Sequence, residues 1–205
     1  KPWVAFLRGQ DVPGYPDTPA WMHKVAWPVT WWHWKHAEQV LSNSVWLGDL
    51  AKKSLPELEV GLVPNGIDAD LYQPHQRPRE NKRKVKVLYT GRLVRFKRLR
   101  ELVDAWAQVK ERQSSVDPEL WFAGYGPERT LLTEQAERLG IRNSVKFFGR
   151  LEEPKLIRAL QAADVYVSPS SGEGLPNAVL EAMACELQVV LSDIGPHREL
   201  GIADG

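Results

Sequence analysis

The sequence predicts an α/β fold: a Rossmann-like parallel sheet with helices on both faces. Three observations point to it. First, residues 85–89, 120–123, 145–148 and 165–167 are short runs of β-branched, aromatic and apolar side chains. Second, each run ends in a loop that contains glycine, at 91–93, 124–127, 149–151 and 168–176. Third, helical patterns follow: Leu99, Leu102, Val103 and Trp106 share one face, then Leu132, Ala136 and Leu139, and residues 177–185 are strong helix formers. Strand, loop and helix in alternation build a parallel sheet, because each crossover must return along a helix.

The remaining elements fall on either side of these units. Residues 3–7 form a short apolar strand that ends in the loop 8–15. Residues 21–36 form a segment with five tryptophans, interleaved with Lys24, His33, Lys35 and His36. A strand is expected at 39–42 and a helix from Val45, with Ser44 as its N-cap. Another strand is expected at 58–63, followed by the turn Pro64-Asn65-Gly66-Ile67-Asp68. The last strand is 189–192, and Gly195-Pro196-His197-Arg198-Glu199 opens the next turn and helix.

Composition narrows the function classes. The 205 residues carry 27 Lys and Arg against 26 Asp and Glu, the balance of an ordinary globular chain. No run of eighteen apolar residues is present to span a bilayer, and the first residues lack the apolar core of an export signal. The single cysteine, Cys185, excludes an internal disulfide and fits a reducing, cytoplasmic setting. Between Arg77 and Arg100 eleven basic residues face one acid, Glu80. A solvated surface is the default reading of that block, and an anionic partner the alternative. Nucleic acid is not the expected partner, since an apolar strand interrupts the block. Tryptophan with lysine over 21–36 fits either a peripheral membrane contact or an ordinary packed helix. No metal or other cofactor is expected. The histidines lack ligand company in sequence. The D-x-D at Asp68 and Asp70 follows a proline-glycine turn, where local hydrogen bonding accounts for it.

Two regions carry chemistry. The helix 177–185 is apolar except for Glu181, so it reads as a buried helix, and a carboxylate on it needs a partner, either structural or from a ligand. Glu173 lies eight residues earlier in the glycine-rich loop. After the strand 85–89, Gly91 and Arg92 are followed by Lys97, which sets two cations beside a helix N-terminus, a pattern suited to diphosphate. The G-x-G-x-x-G fingerprint is missing there, which argues against a dinucleotide cofactor bound in the usual way.

Glu173-Gly174-Leu175-Pro176 followed by Leu180-Glu181-Ala182-Met183-Ala184, together with Gly91-Arg92-Leu93 and Lys97, resembles the retaining glycosyltransferases of family 4, which have the GT-B fold of two facing Rossmann-like domains. The resemblance implies that residues 1–64 are the tail of the acceptor-side domain and 65–205 the donor-binding domain, both truncated. It implies that Glu173 contacts the donor sugar, Gly174 and Leu175 face sugar and phosphate, and Glu181 binds the ribose. Gly91, Arg92 and Lys97 would bind the diphosphate, with Glu173, Arg92 and Lys97 as the catalytic set. Gly124 and Gly126 would lie near the nucleotide, and Arg150 and Leu151 against the base. Arg8, Gly9 and Asp11 stand where the family has His-Gly-x-Asp on the acceptor side, and a guanidinium in place of the histidine can pair with an acidic group of donor or acceptor. The family usually has glycine at the position of Glu186 and proline at that of Gln188. The function so implied is transfer of a sugar from a nucleoside diphosphate sugar, with a carbohydrate or lipid-linked acceptor. A nucleotide-sugar-binding module without catalysis, and a phosphorylase or epimerase on the same fold, are the alternatives.

Overall fold

The structure, a computed structural model, describes residues 1–16, 18–74, 84–112 and 117–201. They fall into two compact units. One comprises Lys1–Gly66, Ser171–Pro176 and the residues from Asp193 onward, and the other Ile67–Ser170 and Asn177–Ser192. Residues 77–83 of the basic block lie outside the described residues.

In the first unit, β1 (Val4–Leu7), β2 (Gln39–Ser42) and β3 (Val60–Leu62) form a parallel sheet in that order. Helices α1 (Ala20–His36) and α2 (Val45–Ser54) supply Trp34, Leu47, Leu50 and Ala51 to a core with Ala5, Leu7 and Val40 of the sheet. The opposite face of β1 exposes Val4 and Phe6. The Ser44 hydroxyl accepts from the Leu47 N–H at 3.2 Å, which is the expected N-cap. The α2 N-terminus is held a second time, because the Glu199 carboxylate accepts from the Val45 and Trp46 N–H groups. Glu199 follows the short helix α7 (Gly195–Arg198). Strand β3 is shorter than the expected 58–63, because the Leu58 N–H is already spent on the Leu55 carbonyl in a turn. Helix α1 packs Trp34 inward and leaves Trp21, Val25, Val29 and Trp32 exposed along one stripe.

The second unit holds a five-stranded parallel sheet. Its strands are β4 (Lys86–Thr90), β5 (Glu119–Ala123), β6 (Val145–Gly149), β7 (Val165–Ser168) and β8 (Gln188–Leu191), in the order β6-β5-β4-β7-β8. Helices α3 (Leu99–Arg112) and α4 (Arg129–Arg138) cover one face, with Leu99, Val103, Trp106, Leu132 and Ala136 packed on Tyr89, Leu120, Phe122 and Val145. Helices α5 (Glu153–Ala162) and α6 (Asn177–Ala184) lie on the other. This is the doubly wound arrangement, and its order reverses between β4 and β7.

Helix α6 corrects one expectation. Only Val179 and Ala182 are fully buried, while Leu180, Glu181, Met183 and Ala184 are half-buried. The helix lies along β7 and β8 and buries the residues that face them; its remaining apolar side chains stay partly open. Glu186, at the position where the family has glycine, sits in the left-handed region at φ 57, a conformation that costs a non-glycine residue roughly 1 kcal/mol.

Arg100, Arg98 and Lys86, three of the seven described basic residues of the block, are engaged within the fold. Arg100 pairs with both oxygens of the buried Glu128, the shorter contact being 2.6 Å, and Arg98 pairs with Glu101 at 3.1 Å. Lys86 lies over the Trp121 ring at 5.0 Å.

Candidate functional site

At the end of β4 the chain turns through Gly91 and Arg92 into a short 3₁₀ turn, Arg95–Lys97, ahead of α3. Several bonds fix this loop. The Tyr89 hydroxyl donates to the Arg92 carbonyl at 2.9 Å, the Gly91 N–H to Ala123 at 3.0 Å and the Leu93 N–H to Tyr125 at 2.8 Å. The loop thereby brings Arg92 and Lys97 to one aromatic ring: the guanidinium carbon lies 5.8 Å and the ammonium 5.1 Å from the centre of buried Phe96. Among the described residues no carboxylate pairs with the Arg92 guanidinium. The expected pair of cations at the head of α3 is therefore assembled, on the strand that borders the reversal point.

Gly124 and Gly126 are needed for packing. A Cβ on Gly124 would lie 1.7 Å from the Gly91 carbonyl oxygen, and one on Gly126 2.3 Å from that of Leu93. Their small size lets the β5 loop lie directly on the β4 loop. Between them Tyr125 points outward, 56% exposed, with the Arg150 guanidinium 6.0 Å from its ring centre. Arg150 and half-buried Leu151 follow β6, so the loops of adjacent strands present a ring and a cation together.

Across the reversal point, the Tyr166 hydroxyl of β7 joins the Thr90 hydroxyl and carbonyl of β4 at 3.2 and 3.3 Å. The loop after β7 starts from a serine cluster: Ser168 and Ser170 hydroxyls are 3.3 Å apart, and Ser192 donates to the Ser170 carbonyl at 2.5 Å.

Glu181 on α6 is half-buried, and among the described residues nothing donates to its carboxylate or pairs with it. The structural partner considered from sequence is not there. Burial, and then the negative charge of Glu153, push its carboxyl up to about 6. Because the folded value lies above the ordinary one, ionising Glu181 lowers fold stability as pH rises from the ordinary carboxylate range towards about 6. The phenol of buried Tyr72 is pushed up to about 12 by burial and by Glu181 and Glu153. Burial and Glu181 also raise the Cys185 thiol, which therefore stays protonated and unreactive.

The loop Ser171–Pro176, which carries Glu173, belongs to the first unit. Its glycines are sites of close approach there. A Cβ on Gly172 would lie 2.5 Å from Pro16, and one on Gly174 2.9 Å from the Asn43 amide nitrogen and 3.1 Å from the Arg8 carbonyl. The Asn65 amide donates to the Leu175 carbonyl at 3.3 Å, so the turn at 64–68 helps hold the same loop. Glu173 is half-buried. Asn43 was not singled out from the sequence, where its signal was a polar residue directly after a strand; Asn65 was read only as part of the turn 64–68.

On the β1 loop, the Asp11 carboxylate accepts from the N–H groups of Arg8 at 3.1 Å and Gly9 at 2.8 Å. Asp11 thus shapes the turn, and Gly9, at φ 139, lies under the Tyr15 ring. The Asp68 carboxylate likewise accepts from the N–H groups of Asp70 and Leu71, so the D-x-D is engaged locally as expected. A concavity of about 590 Å³ lined by Trp34, Glu38, Leu55 and Val60 opens at the N-terminal ends of β2 and β3, the end of a parallel sheet opposite to the one where ligands bind.

Residues 73–204 match the family of glycosyl transferases group 1. The chain belongs to this family. Over 202 residues, 95% of the chain, it is 32% identical to the teichuronic acid biosynthesis glycosyltransferase TuaC of Bacillus subtilis, of which it covers 47%. It is 32% identical over 149 residues, 70% of the chain, to the phosphatidyl-myo-inositol mannosyltransferase of Mycobacterium tuberculosis, covering 37% of that protein. The chain thus spans less than half the length of these group 1 relatives. The crystal structure of HepE from Anabaena in complex with UDP and glucose superposes on the whole chain with a TM-score of 0.79 at 23% identity, 56% of that chain being covered. The group 1 chain accordingly shares its α/β Rossmann-like fold with GT-B glycosyltransferases.

Proposed function

We propose that this chain belongs to a retaining, family 4 type glycosyltransferase that moves a hexose from a UDP- or GDP-linked donor to an acceptor hydroxyl in polysaccharide, lipopolysaccharide or glycolipid synthesis. Residues 65–205 would form the donor-binding domain and 1–64 part of the acceptor-side domain. The observation that carries the reading is Glu181, a half-buried carboxylate with no internal donor among the described residues, in the same unit as the paired cations Arg92 and Lys97. A carboxylate left without a donor suits the two hydroxyls of a ribose, and two cations at a loop before a helix suit a diphosphate.

In this mechanism Arg92 and Lys97 stabilise the charge that grows on the diphosphate as the bond from the anomeric carbon to its oxygen breaks. The acceptor oxygen forms the new bond on the same face, and its proton passes to the departing diphosphate. Glu173 holds the sugar through its hydroxyls, with the Gly174 and Leu175 amides beside it. The exposed stripe Trp21, Val25, Val29 and Trp32 supports a peripheral contact at the cytoplasmic face of a membrane, where lipid-linked acceptors are found.

The test uses the raised Glu181 carboxyl. Only the ionised form accepts two ribose hydrogen bonds, so affinity for UDP or GDP is expected to fall as pH drops through about 6. Calorimetry from pH 5 to 8 on the wild type and on Glu181→Gln should show a steeper loss in the wild type. Parallel curves would remove Glu181 from the ribose site.

A further inference from the structure

Arg8 and Asn43 stand side by side at the C-terminal edge of the first unit's sheet. Leu7 pairs with Ser42 in the β1–β2 register, and Arg8 and Asn43 are the first residues after the two strands. The Asn43 side-chain amide and the Arg8 backbone carbonyl lie 2.9 to 3.1 Å from where a Gly174 side chain would begin, so both residues border the Glu173 loop.

Two independent features make this edge a site. Arg8 is exposed, and among the described residues its guanidinium has no carboxylate partner. Asp11, the acid on its own loop, is spent on the Arg8 and Gly9 N–H groups. Asn43 is only 4% exposed, and its Oδ1 accepts no hydrogen bond among the described residues. A buried amide oxygen left without a donor is destabilising, a penalty that a ligand hydroxyl can relieve. A single guanidinium, with the carboxylates of Asp11 and Glu173 on the loops around it, suits a singly charged planar anion better than a dianionic phosphate.

We infer that this edge recognises a sugar that bears a carboxylate, a uronic acid. Arg8 takes the carboxylate and Asn43 accepts from a neighbouring hydroxyl. The inference deepens the proposed sugar transfer and rests on it. The uronic acid is either the sugar of the donor or the terminal sugar of the acceptor, and the chemistry at Arg8 is the same.

Calorimetric titration separates the two sources. One arm compares UDP-glucuronic acid with UDP-glucose; the other, with UDP saturating, compares a methyl glucuronoside with a methyl glucoside. The uronate is expected to bind at least about tenfold more tightly in one arm, which names the source. Arg8→Ala should abolish that preference. Asn43→Asp, which sets a negative charge against the uronate, should reverse it. Arg8 is exposed, so the first variant stays informative even where the buried Asn43 variant folds poorly. Equal affinities in both arms, or a preference that survives Arg8→Ala, overturn the inference alone while UDP binding keeps the proposed function standing. Failure of the wild type to bind UDP overturns both.

Discussion

Sugar transfer by a Lys97→Ala variant is expected to fall about a hundredfold, the loss found when one preorganised donor to a developing negative charge is removed. The effect should appear in kcat more than in KM, because the diphosphate gains most of its charge as the glycosidic bond breaks. Lys97 is half-buried, and its ammonium lies 5.1 Å from the centre of the Phe96 ring. The position is thus set before substrate arrives, and an Arg92 variant should behave alike because its guanidinium lies over the same ring. Initial rates across donor concentrations measure both constants. Unchanged kcat would place leaving-group stabilisation on other residues.

Gly124→Ala is expected to cost about 3 kcal/mol or more, at or beyond the upper end of overpacking substitutions. The added methyl would lie 1.7 Å from the Gly91 carbonyl oxygen, and the obstacle is backbone, held by the Gly91 N–H bond to Ala123. A side chain could swing away; this strand end cannot move without parting β4 from β5. The thermal midpoint should drop by roughly 6–12 °C. Gly66→Ala, where nothing lies within 4 Å of the new methyl, serves as the control and should change the midpoint little. Thermal unfolding of the two variants in parallel checks the contrast.

The alternating units were legible because their signals are local. Strands β4, β5 and β7 are short runs of apolar and β-branched residues, and the loops after them advertise themselves through glycine. Gly91, Arg92 and Lys97, and Glu173 with Glu181, could be named because fixed spacing carries their chemistry. Helix α5 was not marked out, although Pro154 in its first turn is a favoured helix start; its packing beside β4 shows it. Asn43 escaped because nothing about one asparagine after a strand says that its oxygen will be buried without a donor; that depends on Gly174, 131 residues away, as the numbering shows. The buried reading of α6 missed for a similar reason. Side chains that are apolar all round describe what a helix can tolerate, whereas the strands beside it decide which of them are covered. The partner sought for Glu181 did not appear either, and that misfit is what makes the residue informative.

The central claim is that Arg92, Lys97 and Glu181 form a nucleoside diphosphate site. Calorimetric titration of the chain with UDP and GDP, repeated with Arg92→Ala and with Glu181→Ala, tests it most directly. The account predicts binding of one of the two nucleotides, weakened about tenfold or more in each variant. Binding of equal strength in all three proteins would contradict it.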